Sequence, residues 1–470
     1  MGTTIDPFTS ATELAGMLRG GTVSATELAE LYLARIDELN PKLDAYLTVC
    51  ADEALAAATA VDRGETTGPF AGVPISIKDL NDTRGVRTTH GTAEWSERIP
   101  DRDDAVVARI RAAGFVILGK TNTPEFGKKS ISENPAYPPA RNPWDVGRTP
   151  GGSSGGAAAA LAAGLCPISQ GSDGGGSIRI PASLCGVFGL KPSRGRVSTH
   201  PRLADPHAID GPITRTVADA AALLDAISGS EVGDEWTAPP PERPFADEVG
   251  RDPGRLRVAL TVAPFINDVD VSDDAVAATR DAAELLESLG HTVTEAAPPW
   301  DNVVAEQVVN VFAVNAAANA SEPGFPSIES LDVPSRVLVT MGQGVTATAY
   351  IAARRAVHAL SVEAHRFLED YDVLLTPTVP IPPLPVGAFD DNDQLSEWDA
   401  LLRSRALAAY TPIANLIGAP AVSVPLAWDG DGLPIGIHFV AGMHREGLLL
   451  RLSSQLEDAR PWKDRRPPVT

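Results

Sequence analysis

The chain has few cysteines and no long apolar run, and each shortage excludes a class of protein. Its three cysteines, Cys50, Cys166 and Cys185, are too few for a disulfide scaffold and odd in number. No apolar stretch approaches the ~18 residues that a membrane-spanning helix needs, and the longest candidate covers only 157–165. We therefore expect neither a disulfide-rich secreted domain nor a membrane protein.

Basic residues are also scarce. The 470 residues include 39 Lys and Arg against 61 Asp and Glu, which gives a formal net charge of −22. Such a surface repels phosphate backbones and anionic lipid, so we expect no nucleic-acid partner and no membrane association. The N-terminus lacks the basic and apolar segments of a signal peptide, and His and Cys show no zinc-ligand spacing. These features predict a cytoplasmic protein that uses no metal and no cofactor.

The apolar content is sufficient for a globular core, since 43% of the residues are hydrophobic. Serines followed three residues later by glutamate, at Ser10 and Ser24, predict two helices that begin with capping boxes. Short apolar strands alternate with helices, as in the strand, helix and strand predicted at 256–260, 272–289 and 291–294. This alternation predicts an α/β fold around a mixed or parallel sheet.

Two stretches match well-known motifs in an unsuitable context. Residues 114–121 fit the P-loop pattern, yet the middle residues, Phe-Val-Ile-Leu, favour a buried strand over a phosphate-binding loop. The stretch 151–156 fits the nucleophile elbow of an α/β-hydrolase twice, with Ser153 or Ser154 as nucleophile. Two prolines in the preceding segment make a poor strand, although the elbow requires one. An esterase of that type stays open as a remote alternative.

A serine that follows three glycines is the strongest chemical signal. Consecutive glycines such as Gly174, Gly175 and Gly176 can turn several amides towards one point. Such a nest beside the Ser177 hydroxyl is what the oxyanion hole of an acyl-transfer enzyme requires, although most glycine runs are structural turns. Lys78 lies in an apolar run, where burial would lower its pKa and let the neutral amine act as a general base. Otherwise it is an ordinary surface lysine.

Several motifs together resemble the amidase signature family of Ser–Ser–Lys hydrolases. They are GVPISIKD at 72–79, GKTNTPEF at 119–126, PGGSSGG at 150–156, GSDGGGSIRIP at 171–181, CGVFGLKP at 185–192 and NLIGAPAVSVP at 415–425. The resemblance covers most of the chain and is weakest over 228–400. It implies the amidase signature fold, a central mixed sheet with helices on both faces. It also implies one domain over 1–470, with a signature core at about 70–200.

The resemblance assigns a role to each matching residue. Lys78 matches the base, Ser177 the nucleophile, and Ser153 the relay serine, which the family holds through a cis peptide bond. The glycines at 174–176 match the backbone of the oxyanion hole, and Gly127 matches a substrate-lining position.

Two positions depart from the family pattern. Gly174 stands where many members have Thr, which leaves the amide available, and His438 stands where Gln is common. We assign no role to His438. Asp173 and Arg179 match residues that give the family structural support.

The function implied is a stand-alone amidase acting on a small-molecule amide. The scissile bond would be that of a carboxamide, an aryl amide, an oligoamide or a carbamate, so urethanase activity is included. The family also contains a glutamine-dependent amidotransferase subunit that works only with partner chains. The oligomeric state stays open, with a homodimer allowed. Residues 228–400, which include Trp300, Phe312 and Tyr350, are expected to shape the acyl pocket, although these aromatic residues are more often core than pocket.

Overall fold

Helices and strands alternate along the whole of the chain that the computed structural model describes, which is residues 5–201, 207–265, 269–299, 302–388, 396–403 and 406–470. The helices are α1 (Ala11–Arg19), α2 (Ala25–Leu43), α3 (Ala51–Asp62), α4 (Ala105–Ala112), α5 (Gly155–Ala162), α6 (Arg179–Cys185), α7 (Val217–Ile227), α8 (Asp273–Ser288), α9 (Asn302–Ala320), α10 (Val333–Gly344), α11 (Ala347–Asp370), α12 (Glu397–Arg403), α13 (Pro412–Leu416) and α14 (Glu446–Ala459). The strands are β1 (Tyr46–Val49), β2 (Pro74–Lys78), β3 (Val116–Thr121), β4 (Ser169–Asp173), β5 (Phe188–Lys191), β6 (Ile209–Thr214), β7 (Arg257–Leu260), β8 (Thr292–Glu295), β9 (Val373–Pro377), β10 (Ala421–Trp428) and β11 (Pro434–Ala441).

The described strands form one mixed sheet of 11 strands in the order β1-β3-β2-β4-β6-β5-β10-β11-β9-β7-β8. Strands β3, β2 and β4 run parallel, as do β9, β7 and β8, and the pairs between these two groups are antiparallel. Helices α5, α6, α7, α8 and α14 pack against the strands. The predicted α/β class and mixed sheet are confirmed.

The local predictions for the first helices and for residues 114–121 are confirmed. Ser10 and Ser24 each accept a hydrogen bond from the amide of the glutamate three residues on, and the glutamate bonds back. These boxes satisfy amides that a helix start leaves unpaired. Residues 116–121 form β3, which is buried throughout, so the apparent P-loop is a core strand. The predicted β-α-β unit is also present, because β7 and β8 pair in parallel on either side of α8.

Helices α9, α10 and α12 pack on one another, and α9 packs on α11 as well. We call α9, α10 and α12 the helical wall. Their shared apolar cluster consists of Ala313, Ala316, Leu331, Val337, Leu338, Val339 and Leu401. Phe126 and Phe325 pack against this cluster from outside the three helices. None of the helices in the described part of the chain is long and apolar enough to cross a membrane.

Candidate active site

Lys78 is the last residue of β2, and strands β3 and β4 run parallel on either side of it. Its side chain has no exposed surface. Its Nζ donates to Ser153 Oγ at 2.7 Å, and it lies 3.1 Å from Ser172 Oγ and 3.3 Å from the Ser172 carbonyl oxygen. A neutral amine at this distance from a buried hydroxyl can accept the hydroxyl proton.

Ser153 lies in the glycine-rich loop before α5, and its peptide bond with Gly152 is cis. The loop and the first turn of α5 are packed too tightly for side chains at Gly152 and Gly156. A Cβ at Gly152 would lie 2.5 Å from the carbonyl carbon of Ile131, and one at Gly156 would lie 2.4 Å from the Asn122 nitrogen. This close backbone packing explains the density of glycine in the motif.

The second serine of the pair, Ser154, is buried and makes a different contact from that of Ser153. Its Oγ donates to the Ser172 carbonyl oxygen at 3.2 Å. Residues 122–150, all described, contain no strand directly before the loop, and the preceding strand, β3, ends at Thr121. The strand-to-helix turn that an α/β-hydrolase elbow requires is therefore missing from this segment.

Ser177 follows β4 and the three-glycine loop, and α6 begins two residues later. It is half-buried and lines the same cavity as Ser153. Its carbonyl oxygen accepts a hydrogen bond from the Ser154 amide at 3.1 Å, which ties the two serine loops together. The structure thus brings together Lys78, Ser153 and Ser177, although they are spread over 100 positions of sequence.

Gly127 lines the cavity directly beside Ser153. Its φ is +69°, and a Cβ there would lie 3.1 Å from Ser153 Oγ and 2.7 Å from Leu80 Cδ1. Both the backbone conformation and the space therefore require glycine. Any side chain at this position would press on the hydroxyl that Lys78 contacts.

The three glycines before Ser177 differ in what they contact. Gly174 and Gly175 line the cavity. The Gly176 amide instead donates to Asp173 Oδ1 at 2.6 Å. One of the three predicted glycines is therefore occupied in supporting the loop.

The buried ion pair between Asp173 and Arg179 supports the glycine loop before Ser177. Arg179 Nε and Nη2 each donate to one carboxylate oxygen of Asp173 at 2.9 Å, and neither side chain is exposed. Burial alone would raise the pKa of Asp173, but the guanidinium outweighs it and holds the pKa well below its usual value. The carboxylate also accepts the amides of Gly176 and Ile178, so its charge fixes the backbone on both sides of Ser177.

Two residues near the C-terminal motif, Thr411 and Asn415, also hold this network. Asn415 Oδ1 accepts from Arg179 Nη2 at 2.6 Å, and its Nδ2 donates to the Asp173 carbonyl oxygen at 2.9 Å. Thr411 Oγ1 donates to the Gly175 carbonyl oxygen at 2.7 Å. The structural support predicted for Asp173 and Arg179 thus has a geometric basis that extends to residues more than 230 positions away.

His438 is part of the same network. Its Nε2 accepts from Arg179 Nη1 at 2.8 Å, and its Nδ1 lies 3.0 Å from Thr376 Oγ1. The Thr376 hydroxyl donates to the Pro377 carbonyl oxygen, so the imidazole proton sits on Nδ1. Burial and the Arg179 charge lower the pKa of His438 well below its usual value. The side chain therefore works as a neutral acceptor for Arg179.

We expect His438→Gln to fold and to turn over substrate within a few-fold of the parent, because a glutamine oxygen can accept from Arg179. His438→Leu should lose stability by about 1–3 kcal/mol, since it leaves a buried guanidinium N–H without an acceptor. Thermal unfolding and steady-state kinetics of the two variants test this. Equal stability of the leucine and glutamine variants would contradict the acceptor role.

The cavity that Ser153 and Ser177 line has a volume of about 1270 Å³, which exceeds the usual size of a site for a drug-sized molecule. Its walls are mostly apolar and include Phe126, Phe325 and residues of the helical wall: Val308, Phe312, Ala316, Val339 and Met341. Of the aromatic residues expected to shape the pocket, Phe312 lines the cavity. Tyr350 packs instead against a neighbouring apolar cluster, and Trp300 lies outside the described residues.

Two contacts of the site were not predicted from the sequence. Ser172, which contacts the Lys78 amine, lies inside a family motif, but its side chain carried no separate signal. Thr411 lies outside the motifs, and only the folded chain brings it to Gly175. Among the described residues, no group of three or more His, Cys, Asp or Glu side chains is arranged to hold a metal ion.

Comparisons of the sequence and of the structure with known proteins all lead to the same family. The family model described as Amidase matches residues 27–450. A protein named "Putative amidase AmiB2" from Mycobacterium tuberculosis is 40% identical over 98% of both chains. The 6-aminohexanoate-cyclic-dimer hydrolase of Paenarthrobacter ureafaciens is 37% identical over 98% of this chain and 97% of its own. A solved structure of 6-aminohexanoate cyclic dimer hydrolase superimposes with a TM-score of 0.94 at 36% identity, covering 99% of this chain and all of the other.

One subunit of the glutamyl-tRNA(Gln) amidotransferase from Chromohalobacter salexigens is 34% identical over 97% of both chains. All these similarities extend over nearly the whole chain and include the fold. The chain therefore belongs to the amidase signature family. It is an amidase with the fold of that family.

Proposed function

We propose that the protein is a stand-alone amidase that hydrolyses a small-molecule amide through Lys78, Ser153 and Ser177. The observation that carries this proposal is the 2.7 Å contact between the Lys78 amine and Ser153 Oγ. This contact lies in the protein interior. Ser177, which follows the glycine loop, lines the same large cavity as Ser153.

The proposed reaction begins with two proton transfers. Neutral Lys78 takes the proton of Ser153, and Ser153 takes the proton of Ser177. Ser177 Oγ then attacks the amide carbonyl carbon, and the resulting oxyanion is stabilised by the amides of Gly174, Gly175 and Ser177. The Gly176 amide takes no part in this stabilisation, because it donates to Asp173.

The second half of the reaction returns the protons. As the C–N bond breaks, Ser153 gives a proton to the leaving nitrogen and recovers one from Lys78. An ester between the acyl group and Ser177 remains. Water attacks this ester with the same relay as base, which releases the carboxylic acid and restores the Ser177 hydroxyl.

The substrate class follows from the cavity and from the names of the relatives. A mostly apolar cavity accommodates an extended organic acyl group. One relative is named as a hydrolase of a cyclic amide dimer, and another, 34% identical from Rhodococcus erythropolis, is named acylamidase. We infer that secondary amides and oligoamides are cleaved, and that aryl carbamates, whose carbonyl also carries a nitrogen leaving group, are further candidates.

The alternative of a glutamine-dependent amidotransferase component is supported by the relative that carries such a name. It predicts release of ammonia from glutamine only when partner chains are present. A stand-alone hydrolase predicts turnover by the pure chain, so the two functions are separated by assaying the protein alone.

The test is product release by the pure protein from a panel of five compounds: a primary amide, an anilide, a linear oligoamide, an aryl carbamate and glutamine. Each is run beside the Ser177→Ala variant. Turnover of any compound other than glutamine, lost in the variant, supports the proposal. If the pure protein released product from none of the five compounds, the proposal of a stand-alone amidase that acts on these amide classes would be contradicted.

The rate is expected to rise from neutral to alkaline pH, because only the neutral amine of Lys78 can accept a proton. His438 should add no inflection near neutrality, since burial and Arg179 lower its pKa well below the usual value. Measurement of kcat/KM across pH, with circular dichroism as a check on folding, tests this. A rate that falls above pH 7 in a folded protein would count against Lys78 as base.

A further inference from the structure

Four aromatic rings meet on one wall of the cavity, and we call them the aromatic patch: His90, Trp95, Phe126 and Phe325. Phe126 and Phe325 stack with their ring centres 4.6 Å apart. Trp95 meets both of them edge-on, at 5.4 and 6.0 Å, and His90 meets Trp95 edge-on at 5.0 Å. The helical wall contributes aliphatic groups such as Val308 to the same cavity, so aromatic and aliphatic surfaces are concentrated in different places.

The aromatic patch lies close to the site serines. Phe126 directly precedes Gly127, and a Cβ at Gly127 would lie 3.1 Å from Ser153 Oγ. Consecutive Cα atoms are about 3.8 Å apart, so the backbone of the patch comes within one residue of the hydroxyl that Lys78 contacts. A substrate whose amide group lies at Ser153 and Ser177 therefore reaches the patch with a substituent that it carries near that amide.

The rings are fixed in place by the surrounding chain. Trp95 Nε1 donates to the Gly324 carbonyl oxygen at 3.2 Å, and His90 Nε2 lies 3.2 Å from Asp82 Oδ1. The Phe126 amide donates to the His90 carbonyl oxygen at 2.8 Å. His90 and Phe126 have φ angles of +52° and +48°, which are unfavourable for residues other than glycine. Because the rings are already ordered, binding against them requires little loss of side-chain freedom.

All four rings keep surface exposed towards the cavity. They are half-buried, whereas aromatic residues of the core such as Tyr32 and Phe188 are fully buried. A ligand ring can stack on such a patch or meet it edge-on. Contacts of this kind add to the free energy gained by burying apolar area alone.

A neutral ring suits the patch better than a cation does. The Arg98 guanidinium lies 4.7 Å from the centre of the Trp95 ring. Arg98 is held there by Asp82, whose two carboxylate oxygens accept from Nη1 and Nη2 at 2.7 and 2.6 Å. The attraction that the Trp95 ring offers to a cation is therefore already used by Arg98.

We propose that the aromatic patch binds an aromatic ring of the substrate, carried within a few bonds of the scissile amide. The inference rests on the proposed function, whose substrate it specifies. It predicts that a phenyl group is preferred to a cyclohexyl group at the same position. Burial of apolar area alone predicts the opposite order, because the cyclohexyl group is the larger of the two.

The test compares two pairs of amides that differ only in this ring. N-benzylacetamide and N-(cyclohexylmethyl)acetamide carry it on the amine half, and the N-methyl amides of phenylacetic and cyclohexylacetic acid carry it on the acyl half. A methylene separates the ring from the amide in every compound, so the ring has little effect on the reactivity of the bond. We expect kcat/KM to favour phenyl by about three- to tenfold in at least one pair, which identifies the half that meets the patch.

Three variants locate the site of this preference. Trp95→Leu and Phe325→Leu each remove one ring of the patch and should lower the ratio of phenyl to cyclohexyl kcat/KM by about two- to tenfold. Trp236 is 37% exposed and is not among the described residues that line the cavity, so Trp236→Leu is a matched control that should leave the ratio unchanged. Thermal unfolding of each variant checks that it is folded.

Equal or better cleavage of both cyclohexyl compounds would overturn the inference, and so would a phenyl preference that survives both patch variants. Turnover of any of the four amides by the parent, lost in Ser177→Ala, supports the proposed amidase whatever the ring preference. If the parent cleaves none of them, calorimetric binding of the four amides to the pure protein decides on the ring. Tighter binding of a phenyl compound, weakened in Trp95→Leu, would then support the patch, whereas equal affinities or no measurable binding would overturn it.

Discussion

The Ser177→Ala variant is expected to lose kcat/KM by about 10⁴-fold or more on any amide that the parent cleaves. Ser177 supplies the oxygen that bonds to the acyl group, so its loss leaves the proton relay without a nucleophile. An alanine fills a half-buried position without removing a support of the loop, because the loop is held by Asp173 and Thr411. Stability should therefore stay close to that of the parent.

A matched control is Ser154→Ala, which removes the other serine hydroxyl that sequence patterns present as a nucleophile. Its hydroxyl donates to a backbone carbonyl, so we expect a modest loss of stability and substantial activity. Mass spectrometry of the parent mixed with a slowly hydrolysed amide should find the acyl group on the peptide that contains Ser177. Acyl transfer to Ser154, or activity in Ser177→Ala, would contradict the assignment.

The second large effect is expected at the base. Lys78→Met should lower kcat/KM by about 10³- to 10⁴-fold, because nothing then takes the proton of Ser153. The residual rate should lose the rise with pH that the parent shows. Ser153→Ala interrupts the same relay and should also be severely impaired.

Lys120 provides the control for Lys78, since it is an equally buried lysine on the adjacent strand β3. Its amine donates to the Thr88 hydroxyl at 2.8 Å and lies 3.8 Å from Asp79, away from both site serines. Lys120→Met should destabilise the protein but keep the alkaline rise in the folded fraction. If Lys120→Met abolished that rise and Lys78→Met kept it, the base would be misassigned.

Local structure was predictable where neighbouring residues determine it. The capping boxes at Ser10 and Ser24 and the strand in 114–121 depend on contacts within a few residues, and all three are confirmed. The strand order was not predictable, because it depends on pairs such as β5 with β10 that are far apart in sequence. No periodicity encodes which distant strands become neighbours.

The candidate site was predicted unevenly. Lys78, Ser153 and Ser177 came from family motifs, and the structure brings them together, while their catalytic roles stay a proposal. The partner of His438 could not be predicted, because a histidine on a strand gives no sign of which buried cation it meets. The hydrogen bond from the Gly176 amide to Asp173 could not be predicted either, since the sequence does not distinguish among three consecutive glycines.

The separation of the helical wall from the strands has a consequence for how this enzyme can change. Lys78 and Ser177 are held by the sheet and by the Asp173–Arg179 pair, whereas one face of the cavity comes from helices that pack on other helices, α11 included. Recombination could exchange α9 and α10, which are consecutive in the chain, with the reacting groups left in register. Libraries confined to the helical wall should therefore yield new substrate ranges at a higher frequency, and with fewer unfolded members, than libraries spread over the whole gene.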